Sequence, residues 1–154
     1  MLLDDVLAAS RAGKVEIDPF NYSAIFPLAT FTAGAVVPVN IPITSDSDFV
    51  CRYTNLAAFS APGVPVVLPD YTLTLFDTGS GRSMQDQAMH VSLVTGNGNL
   101  PYIWPEPKLI KGSSVLVVTL ANLTAVAALA YVLLGGFKIF YVSGYSRSSV
   151  FHIS

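Results

Sequence analysis

Along most of the chain apolar and polar positions alternate with a period of two, the mark of half-buried strands. Tyr71-Thr72-Leu73-Thr74-Leu75-Phe76-Asp77 is the clearest case. Asp48-Phe49-Val50-Cys51-Arg52-Tyr53 repeats the pattern, with Phe49, Cys51 and Tyr53 in phase, inside a strand expected over 49–59. Residues 35–44 place Pro38 and Pro42 on one side of an extended chain and Val37, Val39, Ile41 and Ile43 on the other, which predicts an edge strand with one apolar face. Residues 21–31 predict a strand in which Pro27 marks an edge or a bulge, and 85–94 and 137–142 predict two more, the latter with Lys138 on its outer side. Residues 32–34, 60–65, 78–83 and 95–99 are rich in Gly, Pro, Asn or Ser and read as turns. Residues 100–107 form an extended aromatic segment stiffened by Pro101, Pro105 and Pro107.

The most apolar stretch is 101–141, and 112–137 contains no charged residue. Its length meets the ~20 residues of a membrane-spanning helix, and that is the alternative reading. The local grain favours strands: Val115 to Leu120 is mainly β-branched, Ala121-Asn122-Leu123-Thr124 offers a break, and a second apolar run over 126–134 ends at Gly135-Gly136. Two buried strands and a turn are therefore expected.

Eight or nine extended segments at this spacing predict an all-β sandwich, in its jelly-roll form of about eight strands, because two packed sheets would bury the continuous apolar runs. Residues 21–142 form the body. Residues 1–20 read as an extended N-terminal arm: 1–13 predict a short helix with Leu3, Val6 and Leu7 on one side and Gly13 as its stop, followed by alternating Val15 and Ile17 and then Phe20. Residues 143–154 read as a polar tail with a late apolar cluster at Val150, Phe151 and Ile153, placed to dock on the body or a neighbour.

Composition then narrows the function. Only 12% of the 154 residues are charged, the formal net charge is −2, and 52% are hydrophobic. A chain this poor in charge is expected to have much of its surface covered by partners. The eight basic residues are scattered, so no nucleic-acid surface is predicted. Cys51 is the only cysteine and reads as a small core residue. His90 and His152 lack the partners of a metal site, the acids of 44–48 lack the spacing of a calcium loop, and the glycines of 78–83 lack the lysine of a phosphate loop. No nucleophile stands with a base in the sequence. No enzyme and no cofactor are expected. Acidic Asp4 and Asp5 stand where a secretory signal carries positive charge, so export by that route is not expected.

The phrases Asp48-Phe49 at a strand opening, Leu75-Phe76-Asp77-Thr78-Gly79-Ser80-Gly81-Arg82, Pro105-Glu106-Pro107, and the apolar strand ending at Ala121-Asn122 resemble small virion proteins of tailed bacteriophages, including capsid decoration, or cement, proteins with jelly-roll-like folds. The likeness covers about residues 22–142. It implies a dimer or trimer that binds the outer surface of a shell of major capsid protein and clamps adjacent capsomers, located on the virion and in the host cytoplasm during assembly, with no nucleic acid and no membrane as partner. The arm and the tail would be the clasps. Val15, Ile17, Phe20, Tyr102, Trp104 and Phe151 are the interface candidates. The rival roles are a head-to-tail connector, collar or tail protein, a small membrane protein anchored by 112–137, and, from Tyr102 and Trp104, a carbohydrate-binding module.

Overall fold

In the computed structural model, which describes residues 2–151, the uncharged run at 112–137 supplies the middle strand of both sheets. The chain begins with helix α1 (Leu2–Arg11), followed by β1 (Val15–Phe26), β2 (Val36–Pro42), β3 (Asp48–Ala61), the two-residue β4 (Val64–Pro65) and β5 (Tyr71–Asp77). Then come the two-residue strands β6 (Arg82–Ser83) and β7 (Met89–His90), a helical turn α2 (Val91–Val94), β8 (Tyr102–Ile110), β9 (Val115–Asn122), β10 (Leu129–Tyr141) and a final turn α3 (Arg147–Phe151). β10 lies between β1 and β3 in one sheet, with β4 and β8 sharing the other edge of β3; β9 lies between β2 and β5 in the second, with β6 and β7 on the far edge of β5. All pairings are antiparallel. The order 1-10-3-8 facing 2-9-5-7 is that of a jelly roll, so the expected sandwich holds, with ten strands once the three shortest are included.

The main core lies between the sheets. Phe26, Phe31, Phe49, Tyr71, Leu73, Leu75, Leu116, Leu120 and Leu134 are buried there, with Phe31 edge-on to Tyr71 at 5.0 Å. Prolines protect the open edge made by β1 and β2: Pro38 and Pro42 stand opposite Thr119 and Val115, where they pair on one side only. Asn122 stitches the β9–β10 connection as the break in the sequence predicts, its side chain donating to Val126 O (2.8 Å) and accepting from Thr124 N (2.9 Å). No helix among the described residues is long and apolar enough to cross a membrane.

A second, smaller core sits on the outer face of the first sheet. There α1 lays Val6 and Ala9 over Val15, Val50, Phe137 and Ile139, and Val150 and Phe151 close its side. Four expectations change. The arm boundary at residue 20 falls inside β1, because Val15 to Phe20 pair with Tyr141 to Gly136 in continuous register; the extended segment is a sheet strand. Leu7 lies outside the buried stripe of α1, where Ala9 takes its place. Lys138 does not face outward: Phe137 and Ile139 serve the second core, which turns Lys138 to the opposite side, buried, with its ammonium 4.1 Å from the Phe20 ring centroid and 3.0 Å from Thr44 Oγ1. Gly135-Gly136 does not end a strand; β10 runs straight through it.

The reason for the glycine pair is a bulge. Gly135 pairs with Tyr53 and Gly136 with Cys51, leaving Arg52 as the extra residue of β3. The bulge inverts the alternation, so Phe49 and Cys51 face the main core but Tyr53 turns outward, out of the phase that the sequence suggests. Its ring lies flat where a side chain at position 135 would be, and Tyr53 Oη donates to Asn21 Oδ1 at 3.0 Å. Two smaller differences remain: β1 ends before Pro27, whose carbonyl accepts from Phe31 N (2.8 Å) in a turn, and residues 85–94 give only β7 and α2. Ile153 lies outside the described residues.

Candidate interaction surface

The charge-free runs of the sequence, at 19–45, 53–69, 87–105 and 112–137, converge in the fold. Antiparallel pairing brings Phe26, Val36, Tyr71, Asn122 and Leu129 to one end of the sandwich, and Asp48, Asp77, Ile110, Val115 and Tyr141 to the other. The first end is built by the β1–β2, β3–β5, α2–β8 and β9–β10 connections. Among the eight basic and ten acidic residues of the chain, Asp70 alone stands in those connections. Apolar side chains stand out from them and from α2: Val67 (83% exposed), Leu68 (86%), Leu93 of α2, Leu100 (72%), Leu123 and Val126. The loops are joined, since Leu123 N donates to Asp70 O (3.0 Å) and Asn55 bridges to Gly98, accepting its amide at 2.8 Å.

Between the loops runs a groove of about 560 Å³, walled by Val67, Leu68, Leu100, Pro101 and Tyr102. On its rim His90 caps α2: Nδ1 accepts from Ser92 N (3.2 Å) and lies 2.7 Å from Ser92 Oγ, while Nε2 lies 3.1 Å from Asp70 Oδ1. Accepting at Nδ1 puts the ring proton on Nε2, facing the carboxylate. Asp70, His90 and Ser92 thus stand in the order of orienting acid, base and hydroxyl. With Nδ1 unprotonated, the Ser92 hydroxyl donates to it at 2.7 Å alongside the Ser92 amide, and the cluster caps α2 at the groove's edge.

The outer face of the first sheet is bare next to this end. Ile25, Tyr131 and Ala57 form one cross-strand row on it, with Tyr131 edge-on to Phe59 at 6.3 Å, and Ile103 stands beside Tyr53. The other half of the same face lies under α1 and α3.

At the opposite end one ion pair is drawn into the fold. Asp48 is buried and receives Gly112 N (2.8 Å), Tyr141 Oη (2.6 Å), Arg147 Nε (2.7 Å) and Arg147 Nη2. Burial raises the Asp48 carboxyl, and these donors more than offset it, so it titrates below its ordinary value. The same contact raises Arg147, and burial together with the neighbouring carboxylate raises the Tyr141 phenol. The bidentate pair ties α3 to the start of β3. Nothing in the sequence points to it, because the partners lie 99 positions apart.

The six interface candidates are divided by the fold. Val15, Ile17 and Phe151 are packed into the second core, Phe151 against Tyr141 at 6.2 Å. Trp104 packs against the main core and meets Tyr102 edge-on at 5.9 Å. Phe20 is partly exposed but occupied by Lys138, and Tyr102 alone reaches the groove. The exposed aliphatic residues at the loop tips were missed because a lone apolar residue in a polar-looking loop carries no periodic signal; the shared lack of charge in their four runs was the available clue. Comparison of the chain with family models, curated proteins and solved structures found no match.

Proposed function

We propose that the protein is a structural component of a virion, binding the outer surface of a phage capsid and stabilising contacts between capsomers. The observation that carries this reading is the distribution of charge: the buried Asp48–Arg147 pair lies at one end of the jelly roll, and the connections at the other end carry Asp70 alone among the charged residues and expose large aliphatic side chains. That is the surface of a protein that works buried against other protein chains. Two further features support it. The strand and turn phrases that resemble capsid decoration proteins fall on ordered elements, with residues 75–82 forming the end of β5 and its turn and Pro105-Glu106-Pro107 lying within β8. Jelly rolls are also common in capsid architecture.

Stabilisation of a shell by such a protein is a matter of many modest contacts repeated by symmetry. Purified protein is therefore expected to co-sediment with expanded capsids that lack it and to saturate at hundreds of copies per particle, read by gel densitometry. Saturation at a handful of copies would favour a connector, collar or tail role, and no binding to capsids would remove the decoration reading.

A further inference from the structure

We infer that Ser92, His90 and Asp70 form a nucleophilic site on the wall of the groove, which takes the acyl group of a neutral aliphatic ester onto Ser92 and passes it to water. The inference goes beyond a role on the capsid and does not rest on it. Its first ground is geometry. Ser92 Oγ lies 2.7 Å from His90 Nδ1 and His90 Nε2 lies 3.1 Å from Asp70 Oδ1, so both links between nucleophile, base and orienting acid are closed. All three residues line the groove, and Ser92 is exposed, so its hydroxyl is open to a reactant. The ring is turned end for end relative to the usual triad, but either imidazole nitrogen can accept a proton while the other donates.

The second ground is that capping leaves part of the cluster unused. The cap consists of His90 Nδ1 and Ser92 N; it needs neither the Ser92 hydroxyl nor a carboxylate on the far side of the ring. Yet the one charged residue of the four connections stands at that carboxylate position. The sheet holds the groups in place. His90 pairs with Thr72 across β7 and β5, Asp70 immediately precedes β5, and Asp70 O accepts from Leu123 N at 3.0 Å.

The chemistry follows from these positions. Ser92 Oγ attacks the ester carbonyl carbon as its proton passes to His90 Nδ1. The ring gives up the longer of its two accepted bonds, that from Ser92 N at 3.2 Å, and the imidazolium faces the Asp70 carboxylate. The bond from the carbonyl carbon to the leaving oxygen then breaks, and Nδ1 returns the proton to the departing alcohol. Water, giving its proton to Nδ1, attacks the acyl-serine; the carboxylic acid leaves and Ser92 Oγ takes the proton back. Asn97 lines the same groove with its Oδ1 held by Asn99 N (3.2 Å) and Leu100 N (2.9 Å), which leaves Nδ2 as a neutral donor for the carbonyl oxygen. The groove selects the substrate class. A volume of about 560 Å³ walled by Val67, Leu68 and Leu100 suits an aliphatic acyl chain, and Asp70 disfavours anionic esters.

The test is labelling of the intact protein with an alkyl fluorophosphonate, which phosphonylates an activated serine with loss of fluoride, read by intact mass and peptide mapping. Turnover of p-nitrophenyl butyrate is the second readout. One adduct per chain, at Ser92, is expected. Ser92→Ala keeps the capping amide and is expected to take no adduct and to show no ester turnover above the rate in buffer. His90→Gln is expected to be labelled about 100-fold more slowly. Asp70→Asn leaves the cap in place and is expected to be labelled about 5-fold more slowly, the weight of an exposed ion pair. Circular dichroism checks that each variant is folded. No adduct on the folded wild type, adducts scattered over several serines, or labelling of folded His90→Gln and Asp70→Asn at the wild-type rate would each overturn the inference. Capsid co-sedimentation is read separately, so either proposal can fail alone.

Discussion

Asp48 shows how a single buried carboxylate can hold distant parts of the chain. Its folded-state pKa is depressed, so its stabilising contribution is fully present above the ordinary carboxylate range and is lost as pH falls through about 4 and below. Arg147→Ala would leave the carboxylate buried with two donors fewer and free α3 from the sheet. A loss of about 2 kcal/mol is expected at pH 7, because one partner of a largely buried pair is removed. The variant should also lose less additional stability than the wild type between pH 5 and pH 3. Urea titrations at pH 7, pH 5 and pH 3 check both statements, and equal unfolding midpoints for the two proteins at pH 7 would show that the clamp contributes nothing. Cys51 is the opposite case, a residue whose role was legible. Its phase with Phe49 marked it as core, and in the fold it is fully buried, with burial pushing its thiol up to about 12.

At the scale of elements, the sequence was most readable where one rule governs. β5 alternates because one face is core and the other is not, and β2 shows its edge position through its prolines. It was least readable where two cores share one strand: β10 serves the main core through Ala130, Val132 and Leu134 and the second core through Phe137 and Ile139, so nearly every position is apolar and no phase stands out. The glycine pair was misleading for a related reason. Glycine suggests a turn, but here it grants close approach: a Cβ on Gly136 would fall 1.8 Å from Val50 O, and one on Gly135 would fall 2.0 Å from the Tyr53 ring. The two positions should therefore behave differently. Gly136→Ala meets backbone and is expected to cost roughly 3 kcal/mol, lowering the thermal midpoint by about 6–12 °C. Gly135→Ala meets a side chain, and adding Tyr53→Ala should recover much of its loss. Thermal unfolding of the four proteins separates the cases; equal recovery of Gly136→Ala by Tyr53→Ala would contradict the bulge geometry.

Taken whole, the molecule is a sandwich whose first sheet is roofed by α1 and α3 over half of its outer face, with apolar loops exposed at the end away from that roof. The fold class was legible because all-β patterning survives local errors in strand boundaries. The division into arm and body was not, because Val15, Ile17 and Phe20 alternate as any edge strand would, and only the partner strand β10 and the roof α1 reveal where they belong. This assigns different consequences to two truncations. Removing residues 1–13 takes away α1 and uncovers Val15, Val50, Phe137 and Ile139, a loss of apolar burial that should cost about 2–4 kcal/mol and leave a folded, less stable protein. Removing residues 1–20 also deletes the half of β1 that pairs with Gly136 to Tyr141, leaving that stretch of the central strand β10 without a neighbour on one side. No cooperative thermal transition is expected from that second protein in calorimetry. If it instead melted cooperatively at the same temperature as the shorter truncation, Val15 to Phe20 would be a dispensable arm after all, free to be offered to a partner.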